Sequence, residues 1–196
     1  MLSFRAQYGT LVARNYIKKY DDEIKKLILT GPPCKNPAVH LGLALAKVQK
    51  KIKGDKYRSE EIQKMAFGPF DKIFQGEPQS SWICSDREIV DKYNQSDLCG
   101  FTFTTDAFEG LFLLLKGTYS KKGWDLKNKQ LPVLFLGGEK DLCIGNGRKF
   151  VQEMQFLKQV GYENVTGKIY PGMRHEILNE KGKEEVYENI LRYLEK

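Results

Sequence analysis

Lys168-Ile169-Tyr170-Pro171-Gly172-Met173-Arg174-His175-Glu176-Ile177 reads as the end of a strand that runs into a histidine-bearing loop. Val165, Ile169 and Tyr170 form the apolar run, and Pro171-Gly172 stops the ladder and turns the chain. His175, one of two histidines in the chain, sits just beyond. In an open α/β sheet, loops at the carboxyl ends of strands are where ligands and reactive groups collect.

A second strand signal lies upstream, at Leu131-Pro132-Val133-Leu134-Phe135-Leu136-Gly137-Gly138-Glu139-Lys140-Asp141. Val133 to Leu136 are continuously apolar, as a parallel strand covered on both faces requires. Between the two strands, Phe150, Val151, Met154, Leu157 and Val160 recur at helical spacing over Gly147 to Val160. A right-handed crossover makes the two strands parallel and puts both loops on one edge of the sheet. Asp141 and His175 can therefore meet. A carboxylate behind an imidazole is the back half of a hydrolase triad, in which the acid sets the tautomer and the histidine acts as base.

Leu136-Gly137-Gly138-Glu139-Lys140-Asp141 and Tyr170-Pro171-Gly172-Met173-Arg174-His175, with Glu176 to Glu180 after it, resemble the Asp and His motifs of α/β-hydrolases. The chain is most similar to the monoacylglycerol lipase, lysophospholipase and serine aminopeptidase S33 branch, from Gly9 to the end. The resemblance implies the C-terminal part of an α/β-hydrolase, a parallel sheet remnant flanked by helices, with a helical cap insertion. It divides the chain into a core at 1–36 and 125–196, with its early strands missing, and a cap at 37–124. The implied activity is carboxylester hydrolysis of monoacylglycerol or lysophospholipid-like esters, with Asp141 and His175 as catalytic residues and no cofactor or metal.

Composition agrees with one domain of 196 residues, 41% of them hydrophobic and 29% charged. No run approaches the roughly 18 apolar residues of a membrane span, and Met1 to Tyr8 does not resemble a signal peptide. Cys34, Cys84, Cys99 and Cys143 lack metal-ligand spacing, so a cytoplasmic location with reduced thiols is expected. The net charge of +7 is mostly lysine interleaved with acids, a solvated surface rather than a nucleic-acid site.

The start of the chain departs from the family pattern. Gly9 to Tyr20 reads as a helix, with Leu11, Val12, Tyr16 and Ile17 on one face, and Lys26 to Thr30 as a short strand closed by Gly31-Pro32-Pro33. A Gly-x-Ser-x-Gly elbow should stand just before that helix. Its last glycine aligns with Gly9, so Gln7 occupies the nucleophile position, Arg5 the first glycine, and Tyr8 supplies the oxyanion-side N–H. Ser3 lacks a following glycine at position 5. With suitable codons, Met1 to Gly9 read one base later spells Cys-Tyr-Leu-Leu-Gly-His-Ser-Met before a glycine codon, so a frameshift would explain Gln7 and leave Leu2 to Tyr8 accidental. Three strands are recognisable, Leu27–Thr30, Val133–Leu136 and Thr166–Tyr170, and the first is expected to present an open edge.

Between Asn36 and Trp124 the pattern is helical. The expected helices are Ala38 to Ile52 (with Leu41, Leu45 and Val48 on a common face), Glu60 to Phe67, Asp86 to Tyr93 and Phe103 to Leu115. In lipase-like folds such a cap covers the site and supplies an acyl pocket. Met65, Phe67, Phe70, Phe74, Trp82, Phe101 and Phe103 are candidate pocket residues, each also compatible with plain core packing. His40 matches no catalytic motif and reads as structural or exposed. Lys181 to Lys196 is the terminal helix. Three readings follow: a serine hydrolase that has lost its nucleophile and is inactive alone; one half of a split enzyme completed by an upstream-encoded N-terminal fragment; or a non-catalytic binding module using the cap pocket or basic surface. The partner of a complete site is an apolar acyl ester, with peripheral membrane contact through the cap.

Overall fold

The computed structural model describes residues 2–196, with side chains from Tyr8 onward. Four parallel strands lie in the order β1 (Leu2–Ala6), β2 (Lys26–Thr30), β3 (Val133–Gly138) and β4 (Val165–Tyr170). Seven helices surround them: α1 (Gln7–Tyr20), α2 (Val39–Lys53), α3 (Glu60–Ile73), α4 (Arg87–Gln95), α5 (Thr105–Thr118), α6 (Gly147–Val160) and α7 (Lys183–Glu195). The expectation of an open edge on β2 is corrected. Leu2–Ala6 pairs in parallel with Lys26–Thr30, so β2 is an interior strand and the outer edge belongs to β1. The segment expected to be accidental thus completes the ladder, and its alternation of Leu2, Phe4 and Ala6 with Ser3 and Arg5 is a period-2 pattern.

The register explains the continuous apolar runs. Leu27 lies beside Val133, and Leu29 beside Phe135. These four pack with Ala13 and Ile17 of α1 and with Phe150 and Leu157 of α6. Ile28, Leu134 and Leu136 point to the other face, where Tyr170, Met173, Ile177 and Val186 of α7 cover them. Both faces are dry, so neither alternate set of side chains is polar.

Helices α2 to α5 lie between β2 and β3 in the chain. Val39, Leu43, Ala46, Ile62, Phe108 and Phe112 form their own core. Gly42 lets α2 approach α5 closely, because a Cβ there would lie 2.8 Å from the Phe112 ring. The common face expected to be buried on α2 is corrected: Leu41 and Val48 are exposed, and only Leu45 of that set packs inward. Close approach to α5 selects the Val39, Gly42, Leu43 and Ala46 side instead. Helix α3 also continues through Pro69 to Ile73, past the expected end at Phe67. The insertion is anchored to α1 by Asn15 Nδ2, which donates to the Leu114 carbonyl (3.0 Å) and to Thr118 Oγ1 (2.8 Å), and by Lys18 Nζ, which donates to the Gly117 carbonyl (2.6 Å). Among the described residues no helix is long and apolar enough to cross a membrane.

Candidate active site

The loops after β3 and β4 are joined by backbone. Glu139 N–H donates to the Tyr170 carbonyl (2.9 Å) and Lys140 N–H to the Met173 carbonyl (2.8 Å). Glu139 Oε2 accepts from Gly172 N–H (2.9 Å). Gly138 makes this approach possible, since a Cβ there would lie 2.2 Å from the Arg174 carbonyl oxygen.

On this frame Asp141 and His175 come together. His175 Nδ1 lies 3.0 Å from Asp141 Oδ2, with both side chains buried. A carboxylate only accepts, so Nδ1 carries the shared proton, and Nε2 has a free lone pair only in the neutral ring. Asp141 Oδ1 accepts from the backbone N–H of Cys143 at 2.8 Å, which fixes the carboxylate plane. Gly31, at the end of β2 with φ +55°, lies against the pair: a Cβ there would be 2.6 Å from His175 Cε1 and 3.1 Å from Asp141 Oδ2. The strand-closing glycine is therefore part of the site, and the unusual Gly31-Pro32-Pro33 sequence was its signal.

The insertion holds the histidine loop from the other side. The Trp82 ring lies 5.4 Å from the imidazole. Glu176 N–H donates to the Ile83 carbonyl (2.7 Å). Buried Glu180 accepts from the backbone N–H groups of Arg174 (2.7 Å) and Ser85 (2.9 Å) and from the Ser85 hydroxyl. Arg174 makes a two-pronged pair with Glu77, both contacts at 2.7 Å, and donates to the Ser81 carbonyl at 2.6 Å. The motif alone gives Arg174 and Glu180 no role, because the partners that tie them to the insertion, Glu77 and Ser85, are almost a hundred residues away in the chain.

An apolar cavity of about 590 Å³ adjoins the site. Phe67, Phe70, Trp82, Phe101 and Phe103 line it. Met65 and Phe74 do not. Met65 lies on the outer side of α3, half exposed, and Phe74 is occupied by the Arg174 guanidinium 4.0 Å above its ring. Further lining residues are Tyr8, Leu11, Tyr93, Leu98, Leu111, Phe112, Leu115, Leu142 and Cys143. Gln7 begins α1 directly after β1, at the strand–helix junction, but its side chain lies outside the described residues. Tyr8 is half exposed, and His40 is exposed on α2.

Burial pushes the His175 imidazole down, but the charges of Cys143 and Asp141, with a hydrogen bond to each, outweigh it and hold it well above the ordinary histidine value. A raised folded value means that charging His175 stabilises the fold at low pH. That contribution is full below the ordinary value of 6.5 and is lost as pH climbs through the folded-state midpoint. The expected result is a His175 ring titration above 6.5 that moves down in Cys143→Ala, read by NMR with a His40→Gln variant for assignment. An unmoved midpoint would mean that the thiol does not act on the imidazole.

Asp141, Cys143 and His175 offer one oxygen, one sulfur and one nitrogen within 4.8 Å of one another. Such a set suits a transition metal in type. Here Oδ2 and Nδ1 are engaged with each other at 3.0 Å.

A family model described as serine aminopeptidase, S33, matches residues 7–182. The chain belongs to the serine aminopeptidase S33 family. Its fold is that of the α/β-hydrolases, as similar solved structures also show. A thermostable carboxyl esterase from Bacillus coagulans, in complex with glycerol, superposes with a TM-score of 0.86 at 22% identity, over 97% of this chain and 62% of that one. A monoacylglycerol lipase from Paleococcus ferrophilus gives 0.69 at 20% identity, over 96% of this chain and 65% of that one. A soluble variant of the monoglyceride lipase of Saccharomyces cerevisiae, in complex with a substrate analogue, gives 0.68 at 16% identity, over 96% and 59%. At these identities the likeness is one of fold. This S33 family member spans less than two thirds of the length of each of the three. No individually curated protein sequence matches it.

Proposed function

We propose that this chain carries the Asp–His half and the acyl pocket of a carboxylester hydrolase acting on monoacylglycerol or lysophospholipid-like esters. The observation that carries the reading is the buried Asp141–His175 hydrogen bond beside a cavity walled by Phe67, Phe70, Trp82, Phe101 and Phe103. The acyl chain lies among the aromatic rings. Asp141 holds the imidazole, and His175 takes the proton of the attacking group and returns it to the leaving alcohol. The strand–helix junction where the family places its serine carries Gln7, an amide without nucleophilic character. Loss of a triad serine costs roughly 10⁶-fold in kcat. The chain by itself is therefore a binder of acyl esters with no multiple turnover, and a serine from another polypeptide would be needed to complete the reaction.

The test combines two measurements on the purified chain. A fluorescent monoacylglycerol analogue should bind, and Phe70→Glu should abolish that binding. A fluorophosphonate probe should leave the chain unlabelled, and p-nitrophenyl esters should not be turned over repeatedly. Absence of ligand binding would overturn the acyl-pocket reading. Steady turnover abolished by His175→Ala would show a complete triad.

A further inference from the structure

The ligand atoms of Asp141, Cys143 and His175 all lie within 4.8 Å of one another, and all three residues are buried. Asp141 Oδ2 and His175 Nδ1 are 3.0 Å apart. With that contact as one side, three non-bonded atoms in a row would span more than 4.8 Å, so the sulfur completes a triangle beside the Asp–His pair. Chain spacing hides the group: Cys143 stands two residues from Asp141 on one loop, and His175 is 34 residues from Asp141 on another.

A triangle of this kind is one face of a coordination tetrahedron. Zinc bonds of about 2.1 Å to nitrogen and oxygen and about 2.3 Å to sulfur put the edges of that face at roughly 3.4–3.6 Å. The 3.0 Å edge must open by a few tenths of an ångström, and the edges to sulfur, at most 4.8 Å, must close by about an ångström. The support is in place, since Cys143 N–H holds Asp141 Oδ1 at 2.8 Å and so leaves Oδ2 as the ligand oxygen. Cys143 also lines the apolar cavity, which gives an ion its way in. One thiolate, one imidazole and one carboxylate suit zinc or a neighbouring first-row divalent ion. Calcium and magnesium take oxygen sites instead. The plain alternative is that Cys143 only fills the cluster it shares with Trp82, Ile83, Cys84 and Val90. Packing explains the burial of its thiol but not the convergence on two polar ligands. Cys84, in the same cluster, belongs to no such group among the described residues.

We propose that Asp141 Oδ2, Cys143 Sγ and His175 Nδ1 bind one zinc-type divalent ion, with water or an oxygen of a cavity ligand in the fourth position. On binding, the Nδ1 proton shared with Asp141 and the thiol proton pass to solvent, and nothing changes oxidation state. The ion takes the Nδ1 lone pair and the carboxylate oxygen, so Asp141 no longer orients the imidazole as a base. The ion is thus an inhibitor of the acyl chemistry proposed above and not its cofactor. That inhibition rests on the hydrolase reading, whereas the binding does not.

The experiment titrates the metal-free full chain at neutral pH with cobalt(II) chloride and then with zinc(II) chloride. The expected result is one cobalt per chain, with a sulfur-to-cobalt charge-transfer band and the intense visible bands of a four-coordinate site, displaced by one equivalent of zinc. Cys143→Ser should lose the charge-transfer band, and both Cys143→Ser and Asp141→Asn should weaken zinc binding by on the order of 100-fold. Cys34→Ser and Cys84→Ser should keep the band. Zinc should shift the His175 ring signals in the unaltered chain and leave those of His40 in place. A chain that gives no charge-transfer band with cobalt overturns the proposal, whatever the variants do. So does a band that survives Cys143→Ser or vanishes in Cys34→Ser or Cys84→Ser. Failure of the fluorescent monoacylglycerol analogue to bind, with the cobalt spectrum as expected, would remove the acyl reading and leave the ion site standing.

Discussion

Replacing Arg14 by alanine is expected to destabilise the chain by about 3–5 kcal/mol, the range for breaking a buried ion pair from one side. Arg14 Nη1 pairs with Glu153 Oε2 at 2.9 Å, and the two side chains are 0% and 3% exposed. The Tyr119 hydroxyl lies between the same carboxylate and the Pro33 carbonyl, 2.6 Å from the latter, and its single hydrogen serves one of these two acceptors at a time. Glu153 Oε1 accepts from Lys35 N–H at 3.3 Å. The network thus ties α1 and α6 to the loop that follows Gly31, the glycine seated against His175. Removing the guanidinium leaves the carboxylate in the core without its counter-charge, with only the Tyr119 hydroxyl and the Lys35 N–H to offset its desolvation. Urea unfolding of Arg14→Ala reads the loss as a lowered midpoint.

The double variant Arg14→Met, Glu153→Met separates charge from packing. Arg14 Nε and Nη2 have no hydrogen-bond partner among the described residues. An apolar pair of similar volume removes those orphaned donors with the ion pair, so the double variant should be close to neutral or more stable. A double variant as unstable as Arg14→Ala would show that the packing of the stem, over the rings of Tyr119 and Phe135, matters more than the charge.

Gly138→Ala is expected to cost about 3 kcal/mol or more, the upper end for overpacking a filled site. The added methyl would meet the carbonyl oxygens of Arg174 and Met173 at 2.2 and 2.3 Å. These are backbone atoms, and no rotamer change relieves the clash. The histidine loop must move off the end of β3, which strains the Lys140–Met173 hydrogen bond and the 3.0 Å contact between Asp141 and His175. A control is Gly172→Ala, where φ is +71° but no atom lies within 4 Å of the added Cβ. That variant should show only the left-handed backbone cost, about 1–2 kcal/mol. Equal urea midpoints for the two variants would mean that the loop contact at Gly138 yields easily. The same preparations report on the site, because displacement of His175 in Gly138→Ala should bring its ring titration down toward the ordinary value.

Strands β2 and β3 were legible because the sheet is covered on both faces there, and β4, partly open to solvent, through the apolar residues Val165, Ile169 and Tyr170 and the Pro171-Gly172 stop. Leu27 to Leu29 and Val133 to Leu136 then carry no polar alternation, and Gly and Pro mark their ends. The meeting of Asp141 and His175 followed from chain topology: the handedness of one strand–helix–strand crossover puts both loops on one edge, whatever the side chains do. Helix α6 was read to its ends for a similar reason, with a capping Asn146 before it and Gly161 after it.

Other features were decided only by packing between distant segments. β1 has a pattern too short to stand out, and its pairing with β2 is what gives it meaning. Helix α2 carries two apolar stripes, and the glycine gap against Phe112 chose Val39, Leu43 and Ala46 over Leu41 and Val48. Met65 and Phe74 are as apolar as Phe70, but one faces water and the other carries Arg174. Gly31 and Cys143 belong to the site because three strand ends converge there, and each contributes a residue from a different part of the chain. Local pattern reports what a segment prefers, such as strand, helix or turn. Which face is buried, and which thiol lies beside the imidazole, depends on surfaces that exist only once β2, β3, β4 and the helical insertion have come together.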